Sequence, residues 1–236
     1  VWQILDKITP IETGSKVLEP SCGGGVFFET APESLDLHGV EYDNRTAAVA
    51  SILQPGAKIH PGSFEQFNLH NDTKFDHVVG NAPFGDRSAS TSFLDMPGEG
   101  SLDRYFVRRS LDSLADGGSM AMIVAPGVLM NKGNREWRAE ILKHGQFMGA
   151  VKLPDSSFKH THTGVSPDVL IFRKYPEEVR NRLAQLEENG MKEAGFWNED
   201  WVEGAYFEKN ENHIIGQKAE GNWGRMMATG ETSSEA

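Results

Sequence analysis

The residues best suited to do chemistry are Asn81, Ala82, Pro83 and Phe84, which follow the apolar run Phe75-Asp76-His77-Val78-Val79-Gly80. An apolar strand that ends this way presents four useful groups at one tip. They are an amide side chain, a backbone carbonyl pinned by the next proline, a fixed turn and a flat ring. The amide oxygen and the carbonyl both accept N–H bonds, and a ring stacks on a flat partner, so the set suits an exocyclic amine. Taken alone, the same string also reads as a strand-ending turn, because Asn and Pro are common turn formers.

A second group lies upstream. Val17 and Leu18 run into Glu19, Pro20, Ser21, Cys22, Gly23, Gly24 and Gly25. Glycines permit positive φ and let a ligand approach the backbone closely. A turn of this kind after the first strand of an α/β sheet is where nucleotide-like ligands sit. It is not G-x-G-x-x-G and lacks the lysine of a phosphate-binding loop, so the ligand it suggests need not carry phosphates. Glu41 and Tyr42 follow a second apolar stretch. An acid about twenty residues past the glycine turn is placed to accept from ribose hydroxyls. Cys22 lies within the turn; with no partner base indicated, it reads as a small residue lining a tight bend rather than a reactive thiol.

The elements that must position these groups alternate along the chain. Helical spacing covers 2–8, 44–54, 102–115, 134–144 and 176–189. Strand-like runs occupy 16–19, 36–41, 57–60, 75–80, 119–125, 147–152 and 167–173. Alternating strands and helices predict an α/β fold with a mostly parallel sheet covered on both faces. Residues 86–101, rich in Ser, Asp, Gly and Pro, carry no periodic pattern; a loop that long is usually functional or disordered. From 190 onward the chain is polar with weak periodicity, and its last residues, 229–236, read as disordered.

The ordered set of motifs resembles the S-adenosylmethionine-dependent adenine-N6 DNA methyltransferases of the Asn-Pro-Pro-Tyr/Phe type. Residues 105–111 are similar to the helix that follows that family's catalytic loop. Leu114-Ala115-Asp116-Gly117-Gly118 resembles its L-x-x-G-G turn. Residues 153–158 and 164–172 are similar to its hairpin with an aromatic at the active-site rim. Residues 205–216 resemble a stretch found after the methylase in large phage and plasmid proteins that fuse a methylase to a helicase. The resemblance implies a Rossmann-like fold with a seven-stranded sheet. It implies S-adenosyl-L-methionine held by Glu19, Pro20, Ser21, Cys22, Gly23, Gly25, Glu41, Tyr42, Ser63, Phe64 and Asn81. It implies catalysis by Asn81, Ala82, Pro83 and Phe84, with Phe158 as a second contact to a flipped-out adenine. Ala82 stands where the family has its first proline, and Ser63 where many relatives have an aspartate. The family's Thr-Pro element would lie before Val1, so a trimmed chain is expected. Two alternatives share these residues: a non-catalytic methyltransferase-like scaffold, and an N-methyltransferase acting on RNA or on protein glutamine.

Composition bounds the partners. The chain has 236 residues, one cysteine and a net charge of −11. A disulfide framework and a multi-cysteine zinc site are excluded, and the histidines lack ligand spacing, so no metal is expected. Residues 176–236 hold 13 acids against 6 bases. They read as an acidic helical or irregular extension to a methyltransferase domain at 1–175. Arg104, Arg108, Arg109, Lys132, Arg135, Arg138 and Lys143 form either a basic face or an ordinary solvated helix surface. DNA is the expected partner, bound weakly by this chain because phosphate neutralisation supplies much of non-specific affinity. Further domains such as a helicase are expected in the full-length protein. No apolar run approaches the ~18 residues of a membrane span and no leader is evident, so no membrane contact and a cytoplasmic place in a bacterium or phage-infected host are expected.

Overall fold

The computed structural model describes residues 1–86, 96, 99–157, 165–188, 196–220 and 226–230. Seven strands form one sheet: β1 (Lys16–Glu19), β2 (Asp36–Glu41), β3 (Lys58–Pro61), β4 (Phe75–Asn81), β5 (Leu114–Val124), β6 (Gly145–Lys152) and β7 (Asp168–Lys174). Their order is β3-β2-β1-β4-β5-β7-β6. Neighbours from β3 to β5 pair in parallel, and β7 runs antiparallel to both β5 and β6. The mostly parallel, seven-stranded α/β architecture expected from the sequence is therefore present.

Both faces of the sheet are apolar, which is why its central strands read as continuous hydrophobic runs. Leu18, Val78, Met120, Met122, Leu170 and Phe172 face one cluster, joined by helices α4 (Phe64–His70), α5 (Leu102–Ser113) and α7 (Arg135–Ile141). Their alternates Val17, Val79, Ala121, Ile123, Val169 and Ile171 face the other, closed by Trp2 and Leu5 of α1 (Trp2–Ile8). The short α2 (Val26–Glu29) follows the glycine turn, and α3 (Asn44–Leu53) connects β2 to β3. Asp43 starts α3 by accepting the Thr46 N–H at 2.8 Å, a side-chain cap worth about 1 kcal/mol.

The strand after the L-x-x-G-G turn begins earlier than the sequence predicts. β5 starts at Leu114, which pairs with Phe75 before the register shifts between Phe75 and His77. The turn glycines thus sit inside an irregular strand rather than ahead of it.

The chain after 190 contains elements that are too short to show periodicity. Helices α6 (Gly127–Met130) and α8 (Glu177–Glu188) precede α9 (Glu199–Glu203) and α10 (Tyr206–Lys209). Five- and four-residue helices complete barely one turn. Packing holds them in place. Trp201 is fully buried, donates its indole N–H to the Arg138 carbonyl at 2.9 Å and stacks on Phe147 at a centroid distance of 4.5 Å. Arg138, also fully buried, donates to the carbonyls of Val202, Val128 and Asn131. A hairpin of β8 (Gln217–Glu220) and β9 (Met226–Thr229) then returns to the main sheet. Its Ala228 N–H meets the Ser166 hydroxyl oxygen at 2.9 Å.

Candidate active site

The residues singled out by chemistry converge at the carboxyl ends of β1, β2 and β4. In an open α/β sheet this is where ligands bind. Backbone and side-chain bonds sew these tips together. The Ser21 hydroxyl donates to the Asn81 carbonyl at 2.7 Å, joining β1 to β4. The Cys22 N–H donates to the Val40 carbonyl at 2.9 Å, and the Gly62 N–H to the Glu41 carbonyl at 2.9 Å, joining β1 to β2 and β2 to the turn after β3.

Gly23 and Gly25 take positive φ in the turn. One of its amides helps to fix Glu41, whose two carboxylate oxygens accept from the Gly23 N–H and, at the end of its own strand, the Asp43 N–H, each at 2.9 Å. That clamp fixes the acid at the end of β2. Cys22 is buried, and its thiol is pushed up to about 12, first by burial and then by the nearby acids Glu19 and Glu41. Such a thiol is inert at neutral pH. Its bulk explains Gly39, where a Cβ would stand 2.7 Å from the Cys22 sulfur.

Two orphaned acceptors mark the site. Oε2 of Glu19 and Oδ1 of Asn81 are buried without a hydrogen-bond partner. Buried polar atoms are nearly always paired, and an unpaired one costs about 1–3 kcal/mol. These two lie at the ends of neighbouring strands. A ligand carrying N–H donors would satisfy both. Glu19 is 2% exposed, and burial, followed by repulsion from Glu41, raises its carboxyl to about 9. It is therefore neutral at pH 7 until a cation approaches. In donor and acceptor type, the orphaned oxygens, the glycine turn and the clamped Glu41 suit an amine-bearing nucleoside.

Ala82 answers the loss of the family proline. Its N–H donates to the Ile123 carbonyl at 2.9 Å, extending the β4–β5 ladder past Asn81. A proline has no such donor. Hydrogen bonding thus supplies rigidity where a ring is missing. Pro83 is half-buried, and Phe84, at 38% exposure, offers its ring to a cleft of about 740 Å³. Asp103, Ala125, Ser166, Met226 and Met227 also line this cleft. Sequence reasoning found none of these five; nothing short-range links them to the Asn81 turn.

The remaining expected residues are less central. Tyr42 is 78% exposed beside Glu41. Ser63 caps α4 by accepting the Gln66 N–H at 3.2 Å. Phe64 is 3% exposed and packs against Tyr105 and Phe106, so it presents little surface to a ligand. Phe158 lies outside the described residues. Among those described, no group of His, Cys, Asp or Glu is placed to hold a metal ion.

Removing Glu41 tests the cofactor half directly. Glu41→Ala is expected to weaken binding of S-adenosylmethionine by about 1–3 kcal/mol, through the loss of charge-assisted bonds. Titration calorimetry giving equal affinities would exclude Glu41 from the site.

Comparison with known proteins supplies a family and a fold. The family described as N-6 DNA Methylase matches residues 1–195. Defense against restriction protein B of Escherichia phage P1 is 32% identical along the whole of this chain, which spans 11% of that protein. Among solved structures, the methyltransferase subunit of a type I restriction-modification system from Streptococcus thermophilus superposes with a TM-score of 0.59 at 18% identity. The match covers 81% of this chain and 51% of that one. The M protein of the type I restriction enzyme EcoKI gives 0.58 at 20% identity, over 70% of this chain and 41% of that one. The two solved structures speak for the fold; the family match covers the glycine turn, the clamped acid and the Asn81 tip, and by it the chain belongs to the N-6 DNA Methylase family, as a methyltransferase domain of the adenine-N6 type.

Proposed function

We propose that this domain uses S-adenosyl-L-methionine to methylate the exocyclic N6 amine of an adenine flipped out of DNA. The observation that carries the reading is the buried, unpartnered Oδ1 of Asn81, one residue before a turn whose Phe84 faces a cleft. The amine of adenine is a poor nucleophile because its lone pair is delocalised into the ring. Asn81 Oδ1 would accept one of its protons and the Ala82 carbonyl the other. Holding both favours a pyramidal nitrogen whose lone pair points in a set direction. Phe84 would stack on the base. The methylated nitrogen, cationic and therefore strongly acidic, releases its extra proton to water, so no general base with a tuned pKa is required. Glu19, the turn from Ser21 to Gly25 and Glu41 would hold the cofactor, which when bound supplies an electrophilic methyl group. Extrusion of the base from a duplex costs a few kcal/mol, and Met226 and Met227 give the cleft an apolar wall against which the extruded ring could rest.

The test is methyl transfer from labelled cofactor to DNA, RNA and protein in parallel. Label is expected at adenine N6 in DNA. Label in RNA or protein would replace the substrate, and none anywhere would favour the scaffold reading.

DNA grip should come from elsewhere in a longer protein, such as an attached helicase acting in the cytoplasm of a bacterium or phage-infected host. The candidate basic residues are largely neutralised by acids. Arg104 pairs with Glu99, Arg108 and Arg109 with Asp112, Arg135 with Glu203 and Lys143 with Glu140. Arg138 is buried. Isolated residues 1–236 are expected to bind duplex DNA weakly, with a shallow salt dependence, since each phosphate contact adds about 0.9 to the slope of log K against log salt. Sub-micromolar, sequence-selective binding at physiological salt, read by fluorescence anisotropy, would contradict this.

A further inference from the structure

The turn that carries Phe84 lies beside an acid from the following helix. Asp103 is the second residue of α5 and 6% exposed. An acid there would ordinarily serve only its own helix, whose N-terminal amides favour negative charge. Asp103 does more. Its Oδ1 accepts the Ala125 N–H at 3.1 Å, just beyond the end of β5. The Gly85 N–H, next to Phe84, lies near this carboxylate and favours its charged form. The Gly85 carbonyl in turn accepts the Leu102 N–H at 2.9 Å, and Asp86 bridges Ser101. Gly85 is thus held by Leu102 at its carbonyl and lies beside the acid at its N–H. The carboxylate lies where three segments meet: the turn after Asn81, the end of β5 and the start of α5.

We infer that Asp103 is a positioning residue for the acceptor turn, setting the Phe84 ring through Gly85 and the cleft wall through Ala125. This rests on the reading of residues 81–84 as the acceptor site. The residue type follows from the geometry. An ionised carboxylate is acceptor-only at both oxygens and can serve several amides at once. Asparagine would offer one oxygen and turn an N–H₂ group toward an N–H.

The experiment compares Asp103→Asn, Phe84→Ala and the double variant, with amide hydrogen exchange at Gly85 measured by NMR in wild type and Asp103→Asn. Asp103→Asn is expected to lower kcat roughly 10–100-fold, as small misplacements of a reacting group do. Cofactor Kd should change less than about twofold, and Gly85 exchange should quicken about tenfold or more. In the Phe84→Ala background the further loss should shrink to about twofold, because the two residues act through one element. Additive losses, or unchanged exchange at Gly85, would overturn the assignment. If Asp103→Asn does not fold, Asp103→Ser, which leaves room for water at the freed amides, takes its place with the same expected results. If the wild type transfers no methyl group to any substrate, the functional reading falls, and the exchange at Gly85 alone decides whether Asp103 holds the turn.

Discussion

Asn81→Ala is expected to lower methyl transfer by roughly 10²–10³-fold, the usual loss when a preorganised partner of the reacting group is removed. Cofactor affinity should stay within about twofold of wild type, because Asn81 lies at the tip of β4 while the glycine turn and Glu41 lie at β1 and β2. Folding stability should not fall. Oδ1 of Asn81 has no partner in the unliganded protein, and deleting an unsatisfied buried acceptor removes a penalty rather than a contact. A stable, cofactor-binding, inactive protein is therefore the expected combination. Single-turnover kinetics beside thermal melting would check it. Retention of more than about a third of wild-type turnover would take Asn81 out of the mechanism.

Glu19→Gln should separate stability from function in the opposite sense. The folded protein holds the Glu19 carboxyl proton up to about pH 9, against 4.5 for the free side chain. Between those values the folded state binds more protons than the unfolded one, so this group's contribution to stability falls as pH rises. Glutamine removes the effect. The variant is expected to be more stable than wild type by on the order of 1–3 kcal/mol at pH 7, more so toward pH 9, with the difference vanishing near pH 4. Function should move the other way. A cationic ligand is matched by the ionised acid, so wild-type affinity for S-adenosylmethionine should climb with pH from 6 to 9. Glu19→Gln should lose that slope and bind roughly tenfold or more weakly at pH 8. Melting curves of the two proteins that stay parallel across pH, or equal affinities at pH 8, would show that Glu19 neither carries the proton nor meets the ligand.

The parts of the molecule that were legible in the sequence are those where residue identity carries the chemistry. Asn81, the glycine turn and Glu41 announce acceptors, close approach and a clamped acid wherever they occur. The central strands were legible because burial on both faces leaves an uninterrupted apolar run, as in Val78 and Val79. Other features depend on partners distant in sequence. Asp103 looks like any acid in a first helical turn until Ala125 is seen to donate to it and Gly85 to lie beside it. Trp201 gives no periodic signal within a five-residue helix, yet it fills the core beside Phe147. Arg104, Arg108 and Arg135 count as free charge in a composition and as ion pairs in the fold. The substitution of Ala82 for proline reads as a loss of stiffness, and only the β4–β5 register reveals the bond to Ile123 that replaces it.

The Ser21 hydroxyl, which donates to the Asn81 carbonyl at 2.7 Å, places the glycine turn and the acceptor turn on one mechanical unit. A molecule that settles the first also narrows the range of the second, so part of the ordering required by a later arrival is already complete. Thermodynamics makes such help mutual: whatever factor the cofactor adds to substrate affinity, the substrate must return to the cofactor. On the proposed reading a single hydroxyl thus couples the two occupants, each favouring the other to the same degree. The same hydroxyl would make product departure slow whenever the spent nucleoside remains in place.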